Sequence, residues 1–109
     1  MNIDRIQKNL IQGGYKNNPH QVADDLAILS GEYSWICAQL EAILSKKPAT
    51  WNVIRPKHKS DTSAEREWQA SEDGINESGL RLRMKGIEKM LSALKSLLRM
   101  AENEAHNNF

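Results

Sequence analysis

Within residues 46–59, KKPATWNVIRPKHK, the cations Lys46, Lys47, Arg55, Lys57 and Lys59 surround Trp51, and no acidic residue interrupts them. Ammonium and guanidinium groups attract phosphate oxygens, and an indole face accepts a stacked base, so the combination suits a single-stranded nucleic acid. The same residues have a structural use. Trp51 can close the end of a helical hairpin against Ile43 or Trp68, and cations near a helix C-terminus complement its dipole. Arg81, Arg83, Lys85 and Lys89 either extend the cationic track or form the charged outer face of a bundle.

The remaining polar residues carry less chemistry. Between Asp61 and Ser78 the acids Asp61, Glu65, Glu67, Glu72, Asp73 and Glu77 oppose only Arg66, so a net charge of +1 hides segregated blocks that can steer partners. Asp24 and Asp25 have no histidine, serine or glycine turn beside them to complete a catalytic set, and read as a solvated helix face. His20, His58 and His106 are scattered without metal-ligand spacing, and no phosphate loop or dinucleotide pattern occurs. No enzyme activity, cofactor or metal is therefore expected. Cys37, the single cysteine, reads as a half-buried thiol on the flank of an apolar seam. Tyr15, Lys16, Asn17 and Asn18 form a polar turn, a connector or a contact for a small ligand. Trp35, one residue before Ile36, widens the buried face or meets another subunit.

Helices must position these groups. Val22, Leu26, Leu29, Tyr33, Ile36, Leu40 and Ile43 recur at gaps of four and three, the seam of a helix packed lengthwise on another. Leu80, Met84, Ile87, Leu91, Leu94, Leu98 and Ala101 keep the same rhythm and supply its partner. The expected fold is all-α, an antiparallel, coiled-coil-like hairpin of long helices with a short N-terminal helix. In a single domain of 109 residues, the predicted segments are a short helix over 1–12, capped by Asn2 and ended by Gly13-Gly14, and a second helix over 19–46 opened by Asn18-Pro19. Pro48 is expected to end that helix and begin a basic connector over 47–60. A third helix over 61–105 starts at a Thr62/Glu65 capping box and weakens or kinks at Gly74 and Gly79.

These lengths do not match. About 27 residues span about 40 Å and about 43 span about 65 Å, so the third helix outlasts the second. Leu91, Leu94, Leu97 and Leu98, with Met100, are left wanting cover, and an exposed apolar end of this kind predicts a homo-oligomer interface. With 39% hydrophobic residues the chain fills a helical seam and lacks a membrane-spanning run. Its opening, MNIDRIQKNL, has no apolar signal core, so no membrane partner is expected and the cytoplasm of a bacterial host cell is the expected location.

GEYSW, KKPATW, SDTSAEREWQASEDG and LRLRMKGIEKMLSALKSLLR together resemble small phage or prophage helical proteins over most of residues 22–99. The layout is similar to that of UvsY-type recombination mediators. This resemblance implies single-strand binding through Lys46, Lys47, Arg55, Lys57 and Lys59, and loading of a recombinase. The expected function is that of a non-enzymatic phage-type accessory protein that self-associates and binds single-stranded nucleic acid in recombination or replication. The alternative is a protein-binding inhibitor of a host enzyme or defence complex, using the acidic surface or the exposed leucines.

Overall fold

A computed structural model describes residues 3–107, except for the side chains of residues 105–107. The described chain is all-α, with no strand: α1 (Ile3–Gln12), α2 (Pro19–Ile54), a single 3-10 turn (Arg55–Lys57), α3 (Asp61–Ala70) and α4 (Glu72–Asn107). None of these helices is long and apolar enough to cross a membrane. The chain divides into two compact units, Met1–Ser34 with Lys85–Phe109, and Trp35–Met84.

In the first unit Ile6, Tyr15, Val22, Leu29, Ile87 and Leu94 form the core. The Tyr33 hydroxyl donates to Glu88 at 3.0 Å, and Val22 shares a cleft wall with Leu97, so here α2 and α4 run antiparallel. Gly13 ends α1 at φ +69, and the Gly14 amide donates back to the Asn9 carbonyl at 2.8 Å, a left-handed C-terminal cap. Asn18 caps α2 through its side-chain oxygen, which accepts from the Gln21 amide at 3.3 Å, and Pro19 takes the first helical position. Asn2, expected to cap α1, lies outside the described residues.

In the second unit Ile36 and Leu40 are buried along α2. Ile43, Ile54, Ala64 and Trp68 form a cluster against which Trp51 and Leu80 pack. Three boundaries differ from the sequence expectation. First, residues 47–54 are helix rather than connector, and Pro48 lies inside α2. An interior proline costs about 3 kcal/mol, but each large apolar side chain carried into a core returns about 1.5–3 kcal/mol. Continuing the helix delivers two, Trp51 and Ile54, to the cluster. Second, Ser60 rather than Thr62 caps α3, its hydroxyl accepting from the Ser63 amide at 3.2 Å. Third, the long third helix is two helices broken at Ser71, not at Gly74 or Gly79. The Ser71 hydroxyl donates to the Trp68 carbonyl at 2.5 Å and accepts from the Gly74 amide at 3.1 Å, closing α3 and opening α4 with one side chain.

The length mismatch disappears with these corrections. Helices α2 and α4 have 36 residues each, about 54 Å at 1.5 Å per residue. Leu94 is accordingly buried in its own unit at 0% exposure, and Leu91, Leu97 and Leu98 are half-buried. Leu94 is thus a core residue of a single chain, not part of an exposed oligomer face.

Candidate functional site

The predicted cationic cluster divides into engaged and exposed residues. Lys47 sits at one position where α2 passes α3, with its ammonium 5.9 Å from the Trp51 ring centre, 5.2 Å from the Trp68 ring centre and 3.2 Å from Glu65 Oε1. Those contacts hold the residue helical although a proline follows it. Arg55 donates to Asp61 at 2.6 Å and to the His58 carbonyl at 2.7 Å, tying the 3-10 turn to the start of α3. Trp51 is half-buried and packs against the cluster that closes this end of the second unit. Lys46, Lys57 and Lys59 are exposed and form no ion pair among the described residues; Arg66 is exposed on α3.

The acidic block is largely committed to the same local structure. Asp61 holds Arg55, Glu65 holds Lys47, and Glu67 lies 3.0 Å from the His58 ring nitrogen. Glu77 accepts from the Trp68 indole at 3.0 Å and from Arg81 at 2.9 Å. Burial pushes the Glu77 carboxyl up, and the bonds from Arg81 and Trp68 outweigh it, leaving the group below its ordinary range. Glu72 and Asp73 remain outside these pairs.

A polar centre in the first unit was not expected. Asp24 is exposed, as a solvated face requires, but Asp25 is 0% exposed. Its carboxylate accepts two bonds from Arg5, at 2.6 and 3.1 Å, one from the Tyr15 hydroxyl at 2.5 Å and one from Gln21 at 3.0 Å. Desolvation raises the Asp25 pKa, but the bonds from Arg5, Tyr15 and Gln21 together hold it below the ordinary value. Burial and the bond to Asp25 push the Tyr15 phenol up to about 12. The sequence signal for this centre is register: Asp25 falls three residues after Val22 and four before Leu29, on the buried stripe itself. Tyr15, read as part of a polar turn, is buried. Its neighbours Lys16, Asn17 and Asn18 line a cleft of about 570 Å³ floored by Leu10, Val22 and Leu97.

Cys37 is exposed rather than half-buried. Trp35 is 50% exposed, with the Arg83 guanidinium 6.0 Å from its ring centre, so it does not widen the buried face. No group of three or more metal-binding side chains occurs among the described residues, and the His106 side chain lies outside them. In comparisons with protein-family models, curated proteins and solved structures, nothing matches this chain.

Proposed function

We propose that this chain is a non-enzymatic, self-associating helical protein that contacts single-stranded nucleic acid at the corner formed by the end of α2, the 3-10 turn and α3. The observation that carries this is the exposure, without ion pairing, of Lys46, Lys57 and Lys59 in the second unit. Lys47 and Arg55 organise the corner instead of touching the strand, because a phosphate would have to displace Glu65 or Asp61 to reach them. Capture is thus electrostatic, and Trp51 contributes rigidity rather than stacking. In the setting implied by the resemblance to recombination mediators, the bound strand is an intermediate of recombination or replication.

Fluorescence anisotropy of a labelled oligothymidine, titrated with the full chain at several salt concentrations, tests this. Three phosphate contacts give a slope of about −2 for log affinity against log salt. Replacing Lys46, Lys57 and Lys59 together by glutamine removes the slope and most of the affinity. An affinity that ignores salt, or survives the triple replacement, overturns the proposal.

A further inference from the structure

Helix α4 carries a second apolar line on the side away from its core. Ile75 is 60% and Leu82 is 71% exposed, one heptad apart and therefore on one face. Gly79 lies between them, and a Cβ built on it meets nothing within 4 Å. A glycine there weakens the helix relative to alanine, and nothing within the chain approaches it closely enough to require one. Glu72 and Arg83 are eleven residues, three full turns, apart, so they occupy one flank of the same face. Arg83 also rests against the exposed Trp35, which extends the patch at its edge.

The geometry points to a second copy of this chain as the occupant: two α4 helices pair antiparallel across Ile75, Gly79 and Leu82, with Glu72 of each copy facing Arg83 of the other. A two-fold axis between the helices, level with the Ser78–Gly79 bond, sets Ile75 of one copy against Leu82 of the other, twice, with the two glycines at the point of closest approach. Antiparallel pairing brings like flanks together, so each end of the seam juxtaposes one carboxylate and one guanidinium. Parallel pairing would not match these charges. The inference rests on the self-association in the proposal above and gives it a surface in place of the buried Leu94.

Sedimentation equilibrium of the full chain at about 100 µM tests it, a concentration suited to an interface at the small end of the specific range. The wild type is expected to have the mass of two chains. Leu82→Glu is expected to give one, with the helical circular dichroism unchanged because the position is solvent-facing. Arg83→Glu weakens pairing at least about tenfold, and adding Glu72→Arg restores it, because the two sites are too far apart within one chain to compensate each other. A wild type of one-chain mass overturns both the face and self-association. A dimer indifferent to Leu82→Glu, or a charge swap that fails to restore pairing, overturns the face alone, and oligonucleotide binding reports separately on the cationic corner.

Discussion

In the unit made of Met1–Ser34 and Lys85–Phe109, a carboxylate is completely enclosed and bonded to an arginine, a tyrosine and a glutamine. In the unit Trp35–Met84, an indole is enclosed instead, and the neighbouring carboxylates lie outside it, paired with cations. Both arrangements consume charge that the sequence, read alone, offers to partners. The first uses charge to define one geometry for α1 and the start of α2; the second uses it to fasten a corner whose stability comes from apolar contact. Charges available for recognition are those that neither arrangement needs, which is why Lys57 and Lys59 are better candidates than Lys47 and Arg55.

The largest effect that can separate the two centres is removal of the indole. Trp68 is 1% exposed and touches Ile43, Ile54 and Ala64, and truncating a buried aromatic costs about 3–5 kcal/mol. Trp68→Ala also leaves Glu77 without its indole donor and Lys47 without its nearer ring. Urea unfolding is expected to show a loss of about 4 kcal/mol. A loss below about 1 kcal/mol, within the reach of a surface change, would show that the cluster does not hold the corner.

Asp25→Ala comes next, at about 3 kcal/mol, because it strips the Tyr15 hydroxyl of its acceptor in a buried site. Acid and base sharpen the contrast. Asp25 titrates below its ordinary 3.8 when folded, so its contribution is present above that value and is lost as pH falls through the depressed folded pKa. Tyr15 is raised from 10.0 to about 12, so its contribution is present below 10 and lost as pH rises towards 12. Stability profiles should therefore lose part of the acid limb in Asp25→Ala and of the alkaline limb in Tyr15→Phe. Trp68→Ala should lower the whole curve and keep the alkaline limb, changing the acid limb only through Glu77, which loses its indole donor. Identical profile shapes for all three would mean that the carboxylate centre does not couple to folding.

Periodicity made much of the fold legible. Val22, Leu29, Ile36, Leu40, Ile43, Ile87 and Leu94, all placed on the four-three seams, are buried. Asn18-Pro19 and Gly13-Gly14 mark real helix ends, because capping and left-handed geometry are local properties. Pro48 and Thr62 misled for the complementary reason. A proline states a local penalty, and only the distant partners Ala64 and Trp68 show that carrying Trp51 and Ile54 into place outweighs it. Thr62 and Glu65 match the capping-box pattern, yet Ser60, with Ser63 in place of an acid three residues on, caps the helix two residues earlier through its hydroxyl alone. The cationic cluster was legible as composition but not as availability, since Glu65 and Asp61 are 18 and 6 residues from the cations they hold. The Asp25 centre escaped because its partners Arg5 and Tyr15 come from another helix and a turn.

Two glycines on α4 extend the same contrast to smaller effects. Both look like weak points in one helix, yet a Cβ on Gly74 would sit 1.9 Å from the Trp68 carbonyl, while one on Gly79 would meet nothing. Gly74→Ala must push apart the end of α3 and the first turn of α4, an overpacking expected to cost about 1–3 kcal/mol in urea unfolding. Gly79→Ala removes backbone freedom from the unfolded chain without creating a clash, so at dilutions where the chain is a monomer it is expected to stabilise by about 1 kcal/mol. The two changes are chemically identical and five residues apart on one helix, so propensity alone predicts the same sign for both. If Gly74→Ala also stabilised, the tight turn between α3 and α4 would not be the constraint at that position. If Gly79→Ala destabilised the dilute monomer, the Gly79 face would not be open within one chain, and the surface assigned to a second copy would already be occupied.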